Sequence, residues 1–121
     1  MLSVMLKSKL HGARVTASDR DYEGSLSIDP DLMELVGIAA YEKILVADVE
    51  NGNRFETYAI PGQRGSGEIG LNGATTHLGS VGDRLIIFSF CLVPTEDVPA
   101  HHPKVQVLDE KNRPAGPVRV L

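Results

Sequence analysis

Gly24 and Ser25 stand at the head of a short apolar run, within Asp21-Tyr22-Glu23-Gly24-Ser25-Leu26-Ser27-Ile28-Asp29. Glycine admits backbone conformations that other residues avoid, and the serine after it carries a hydroxyl close to the preceding carbonyl. Where a fold holds that peptide bent and donates a hydrogen bond to the Gly24 carbonyl, Ser25 Oγ can attack it. The amide becomes an ester, and β-elimination followed by hydrolysis leaves a pyruvoyl group on a new N-terminus at position 25. Gly-Ser by itself is an ordinary turn dipeptide, so the residues elsewhere in the chain decide its meaning.

Other candidate chemistries are weaker. Ser25 with His11 and an aspartate lacks the nucleophile elbow of a hydrolase around the serine. Gly62-Gln63-Arg64-Gly65-Ser66-Gly67 is glycine-rich but lacks the Lys-Ser/Thr ending of a phosphate loop, and reads as a turn. His77, His101 and His102 do not show the spacing of a zinc site, and Cys91 is the only cysteine.

The elements that must position these residues are short. Residues 2–6 and 13–17 read as strands flanking Lys7-Ser8-Lys9-Leu10-His11-Gly12, and Leu26-Ser27-Ile28 as a third with alternating polarity. Asp29-Pro30 opens a helix, with Asp as N-cap and Pro where its missing N–H costs nothing. Leu32, Leu35 and Val36 give that helix an apolar face, and Gly37 is placed to end it. Residues 43–49 and 54–60 are strands joined through Asn51-Gly52, which favours a type I′ turn. Residues 69–71 form a short strand broken by Asn72-Gly73, residues 74–78 a helical turn, and residues 85–93 a long apolar strand. After Pro94 the composition shifts to Pro, Asp, Glu and His, which predicts a loosely held segment over 95–121 with an edge strand at 104–108. Many short strands, frequent glycine turns and one or two short helices predict a mainly β protein built as a small closed barrel.

With 121 residues the chain fits one domain spanning 1–121. A net charge of −4 argues against a general nucleic-acid binder. No apolar run reaches membrane-spanning length, so no membrane is expected as partner. No export signal is evident, and one cysteine allows no internal disulfide, so the expected location is cytoplasmic. Cys91 lies in an apolar strand pattern and reads as an inert buried thiol.

Several motifs fall together in one order and spacing: Lys9-Leu10-His11, Tyr22-Glu23-Gly24-Ser25, Asn51-Gly52 with Arg54, Thr57-Tyr58, Arg64-Gly65-Ser66-Gly67 and Asn72-Gly73-Ala74. In these the chain resembles the pyruvoyl-dependent L-aspartate 1-decarboxylases over about its first 90 residues. The resemblance implies a double-psi β-barrel assembled as a homotetramer, with active sites between subunits. It also implies self-cleavage between Gly24 and Ser25 and a pyruvoyl cofactor made from Ser25, without metal or pyridoxal phosphate. L-Aspartate would then form a Schiff base with that group and lose CO₂ to give β-alanine for pantothenate synthesis. Thr57 would donate to the Gly24 carbonyl during self-cleavage, and Tyr58 would return a proton after CO₂ leaves. Arg54 and Lys9 would hold the two carboxylates of aspartate, a guanidinium being suited to grip one bidentately. His11, Tyr22, Asn72, Gly73, Ala74 and Thr75 would line the same site. A requirement for a maturation factor has no signal in the sequence.

Departures from the family pattern are Gly12 after the histidine, Arg20-Asp21 before the tyrosine, Gln63 before Arg-Gly-Ser-Gly, and Ala74-Thr75-Thr76. They bear on pocket shape and processing rate. Strand alternation places Thr57 and Tyr58 on opposite faces, so a bulge must turn the chain or the two serve different faces of a shared site. Two other readings stay open: a decarboxylase of another small amino acid, altered around Gly12 and Thr75, and an unprocessed barrel serving as a binding or structural module.

Overall fold

The computed structural model describes all 121 residues, with strands β1 (Leu2–Arg14), β2 (Ala17–Asp19), β3 (Leu26–Ile28), β4 (Lys43–Asp48), β5 (Arg54–Pro61), β6 (Ile69–Asn72), β7 (Arg84–Pro94), β8 (Lys104–Val107) and β9 (Arg119–Val120). One α-helix, α1 (Pro30–Val36), follows β3, and 3₁₀ turns occupy Gly73–His77 and Thr95–Ala100. The strands hydrogen-bond in the order β2-β6-β3-β5-β4-β7-β1-β8-β9. Only Val15 and Thr16 separate β1 from β2, yet β2 lies at one end of that order and β1 near the other. The sheet therefore has to curl round until its ends meet. Val15 N–H donates to Asp83 O at 2.9 Å and Thr16 N–H to Ile69 O at 2.8 Å, stitching the junction to both sides. The result is a small mainly β barrel with short helices, as the glycine-punctuated strand pattern predicts.

Three strand pairs are parallel: β1 with β8, β2 with β6, and β3 with β5. Inward residues of the strands and the apolar stripe of α1 form one cluster of 17 buried apolar side chains, including Leu10, Leu26, Ile28, Leu32, Ile44, Leu71 and Ile87. Each fully buried Leu or Ile contributes roughly 1.5–3 kcal/mol by leaving water.

Helix α1 begins and ends where the sequence predicts. The Asp29 side chain accepts from Asp31 N–H, Pro30 takes the first turn, and Gly37 closes the helix at φ +73. The Asp29 carboxylate also accepts from Gly65 N–H at 3.0 Å and Gly67 N–H at 2.9 Å. Burial would raise its pKa, but the N–H donors of Gly67, Asp31 and Gly65 outweigh this and hold it below the ordinary value. Asp29 thereby ties the end of β3 to the loop before β6.

Three segments differ from the sequence expectation. Residues 2–14 form one long strand where two short ones, 2–6 and 13–17, are expected: β1 runs unbroken through Lys7–Gly12, with register shifts against β7 between Leu6 and Ser8 and between His11 and Ala13. Lys9 and His11 alternate with buried Ser8 and Leu10, so their polarity marks the outer face of the strand. The connection after β4 is not a type I′ turn, because Gly52 has positive φ and Asn51 does not. Gly52 N–H returns to Asp48 O at 2.8 Å and closes a longer loop. Beyond Thr95, β8 runs beside β1, and Val105, Gln106, Leu108 and Asn112 are buried. Asn112 holds this segment in place: its side chain accepts from Arg14 N–H at 2.7 Å and donates to Arg14 O at 2.9 Å and Gly67 O at 2.7 Å. Cys91, on β7 opposite Met5, is half-buried.

Candidate active site

The peptide between Gly24 and Ser25 lies where the chain enters β3. Gly24 has φ +78 and Ser25 φ +81, so a serine occupies the left-handed region that L side chains rarely adopt. Gly24 N–H folds back to Tyr22 O at 2.7 Å, which tightens the turn. Ser25 is buried, and its hydroxyl donates to the Gly24 carbonyl, the acceptor of the peptide bond it follows. Across β3, Asn72 N–H donates to Ser25 O at 3.1 Å and anchors the residue from the β6 side.

Two neighbours press on Gly24. A Cβ built there would lie 3.2 Å from the Tyr58 phenol oxygen, so that hydroxyl sits against Gly24. Gly73, at φ +59, approaches from the other side, where a Cβ would stand 3.2 Å from both Gly24 N and Tyr22 O. Glycine at 73 is therefore required twice over, by its conformation and by its contact. Beside this turn opens a cavity of about 560 Å³ lined by Asp21, Tyr22, Glu23, Tyr41, Tyr58, Ile60 and Pro61. Tyr41, which no sequence pattern marks, is part of that lining and has a positive φ of +69.

Strand β5 keeps its register with β4 from Arg54 to Tyr58 without a bulge. Thr57 and Tyr58 consequently stay on opposite faces, and no turn of the chain reconciles them. Phe55, Thr57 and Ala59 point toward the core, while Arg54, Glu56 and Tyr58 point out. Leu26 pairs in parallel with Ala59, so the Gly24–Ser25 turn leads into β3 beside the end of β5 that carries Tyr58. Tyr58 reaches Gly24 from the outer face, while Thr57 points to the inner one.

The loop after β6 uses its hydroxyls internally. Thr75 donates to Asn72 O at 2.7 Å and Thr76 to Gly73 O at 2.8 Å, which fixes the 3₁₀ turn. Thr75 is buried and Ala74 exposed. The Asn72 amide donates to Ser27 Oγ at 2.8 Å, a partner two residues beyond Ser25 that the motifs do not include.

Lys9, His11 and Arg54 form a separate group. Arg54 pairs with Ala47, Ala47 with Ile86, and Ile86 with His11, so Arg54 and His11 lie in one row on the outer face. Lys9 stands one row away, opposite Phe88. Four residues of extended chain separate Arg54 from Tyr58, about 13 Å. Two strands, β4 and β7, lie between β5 and β1. Within one chain these three residues do not meet Ser25. Neither Lys9 nor Arg54 is ion-paired, whereas Lys7, Lys43, Arg64 and Arg84 each hold a carboxylate. His11 lines a second cavity, of about 370 Å³, with Gly12, Arg14, Arg84 and residues 107–110. Burial first, and then the charges of Lys9, Arg119 and Arg84, lower its pKa below the ordinary 6.5. Arg84 and Arg119 thus add positive charge around His11 that the motifs alone do not indicate. His101 Nε2 meets Leu6 O and His102 Nδ1 meets Leu121 O, each bound to backbone. No group of three or more His, Cys, Asp or Glu side chains is gathered as metal ligands would be.

By fold and site the chain falls in the class of small β barrels that hold a buried serine hydroxyl against the preceding carbonyl, in a left-handed turn beside a phenol. Comparison with known sequences narrows the class to one family. A sequence model described as aspartate decarboxylase matches residues 1–115, and the chain belongs to that family. A protein of Desulfotalea psychrophila called aspartate 1-decarboxylase is 51% identical over 112 residues, covering 93% of this chain and 94% of that one. Proteins of the same name from Caldicellulosiruptor saccharolyticus and Leptospira biflexa are each 49% identical. The first covers 93% of this chain and 88% of its own, the second 94% and 98%. No helix of the chain is long and apolar enough to cross a membrane.

Proposed function

We propose that this chain is a lyase that removes one carboxylate of L-aspartate as CO₂ and leaves β-alanine for pantothenate, hence coenzyme A, synthesis. The observation that carries the reading is the Ser25 hydroxyl, set on the Gly24 carbonyl by a turn in which both residues have positive φ. In self-cleavage Oγ adds to the Gly24 carbonyl carbon, the C–N bond breaks, and Gly24 becomes esterified to Oγ. Elimination across Cα–Cβ of residue 25 frees the Gly24 carboxylate, and water displaces the nitrogen as ammonia. Residue 25 supplies every carbon of the resulting pyruvoyl group, so the group fits wherever Ser25 fits. A ketone there provides the electron sink that loss of an α-carboxylate requires and that no ordinary side chain offers.

The other residues take roles set by their positions. Thr57, beside Tyr58 on the neighbouring strand, donates to the carbonyl oxygen as charge develops on it. One such preorganised donor is typically worth about 3 kcal/mol. Tyr58, with its phenol against Gly24, returns a proton to the α-carbon once CO₂ has left. Tyr22 walls the cavity, and the Gly73 and Ala74 N–H groups and the Asn72 amide approach the substrate. Lys9 and Arg54, neither of them ion-paired within its own chain, hold the two carboxylates, with His11 beside them. Because they stand away from Ser25, they reach it from a neighbouring subunit, and a homotetramer with shared sites meets that need.

Intact-mass measurement of the denatured protein tests the reading. Fragments of 24 and 97 residues (121 − 24) are expected, the larger without a normal amino terminus. Ser25→Ala should give one intact, inactive chain. Cleavage persisting in that variant, or a native preparation with the full-length mass and no activity on aspartate, would overturn it.

A further inference from the structure

Asn72 ends β6 directly across from Ser25, and its side chain is nearly enclosed, at 6% exposure. Its Nδ2 donates to Ser27 Oγ, while its Oδ1 has no partner within the chain and is not among the enclosed polar atoms. Ser27 is equally buried, at 7%, and no other side chain bonds to it. It lies on β3 opposite Gly70, where a Cβ would come within 3.3 Å of Ser27 Cβ and 3.7 Å of its Oγ. The missing side chain at 70 leaves the space in which the Ser27 hydroxyl turns toward Asn72.

A carboxamide has one donor face and one acceptor face of nearly the same shape. Its effect on a ligand depends on which face is held back by the protein. We propose that Ser27 is a positioning residue for the decarboxylation: its hydroxyl engages the Asn72 NH₂ and leaves the Asn72 carbonyl oxygen to accept from the amino group of the substrate at residue 25. This rests on the decarboxylase reading above. Without Ser27 the amide loses its fixed rotamer, and the acceptor is present in the right place for only part of the time. One neutral hydrogen bond of this kind corresponds to roughly a threefold to tenfold effect.

The test compares processed parent, Ser27→Ala, Ser27→Thr, Asn72→Ala and the Ser27→Ala/Asn72→Ala double variant on L-aspartate. Side-chain amide NMR is recorded separately on the uncleaved Ser25→Ala chain, with and without Ser27→Ala. Expected are complete self-cleavage in Ser27→Ala, a kcat lower by about threefold to tenfold with KM changed less than twofold, and recovery in Ser27→Thr. The double variant should be no slower than Asn72→Ala. In the uncleaved chain the Asn72 NH₂ protons should be slow to exchange, and fast once Ser27 is alanine. The proposal fails if those protons are unmoved by Ser27→Ala, if kcat stays within twofold of the parent, or if the Ser27→Ala loss persists undiminished in the Asn72→Ala background. A parent that cleaves itself yet releases no CO₂ from aspartate sinks the assigned substrate instead, and the NMR comparison still decides the role of Ser27.

Discussion

Asp48→Asn should make this protein more stable at neutral pH, although it removes a buried acidic group. Asp48 ends β4 at 2% exposure. Its Oδ1 accepts from Glu50 N–H at 2.9 Å, while its Oδ2 is enclosed, receives no N–H or hydroxyl donor, and has the Asp83 carboxylate as its polar neighbour. The space beside Oδ2 is open only because residue 79 is glycine: a Cβ there would lie 2.8 Å from Asp48 Oδ2 and 3.6 Å from Asp83 Oδ2. Burial, and then the hydrogen bond to the Asp83 carboxylate, raise the Asp48 pKa from 3.8 to about 6. The folded state therefore keeps a proton that the unfolded chain has already released. Stability is full below pH 4, falls as pH rises from about 4 to about 6, and stays reduced above. A shift of about two units corresponds to roughly 3 kcal/mol at pH 7. An asparagine amide can donate to Asp83 as the protonated acid does, without titrating.

Urea unfolding of the uncleaved Ser25→Ala chain, with and without Asp48→Asn, measures this at fixed protein concentration from pH 4.5 to 8. The variant should gain about 1–3 kcal/mol at pH 8, less near pH 4.5, so the difference between the two curves grows through pH 5–6. Parallel curves, or a variant less stable at pH 8, would mean that no proton is shared between Asp48 and Asp83.

Tyr58→Phe should still cleave between residues 24 and 25 by mass, yet lose about 10²–10⁴-fold in kcat if its hydroxyl is the proton donor. Asn112→Ala removes three hydrogen bonds from Arg14 and Gly67 and should cost about 3 kcal/mol in the same urea assay. A loss under 1 kcal/mol would mean that the C-terminal segment is held by other contacts. Asp29 has the opposite sign from Asp48: its depressed pKa stabilises the fold above the unfolded value of 3.8, and that contribution disappears as pH falls through the folded pKa. Asp29→Asn should therefore destabilise the chain at pH 7 and lessen its sensitivity to acid, which unfolding midpoints at pH 3.5 and pH 7 would reveal.

Local chemistry was readable wherever it is carried by neighbours in the chain. The Asp29-Pro30 start and Gly37 end of α1 follow from capping preferences that act within one turn. The apolar run around residues 85–93 became β7 because period-two burial leaves a pattern that needs no partner to be seen. The register of β1 was not readable, because Lys7, Lys9 and His11 resemble a polar loop until β7 and β8 supply the two edges that make them the outer side of a strand. Asn112 was hidden for a similar reason, since its partners are 98 and 45 residues away. The motif residues could be named in order from the chain, but their division into two groups could not.

The amino-acid sequence alone determined which side chains the chain carries for the proposed self-cleavage and carboxylate binding, and that it would fold as short strands broken by glycines. Those properties depend on residue type and near spacing. Tertiary structure alone decided that Gly24 lies against Tyr58, that Asn72 faces Ser27, and that Lys9, His11 and Arg54 stand apart from Ser25. A parallel pair such as β3–β5 brings together residues that no local rule connects, and only closure of the barrel settles which face of each strand they share.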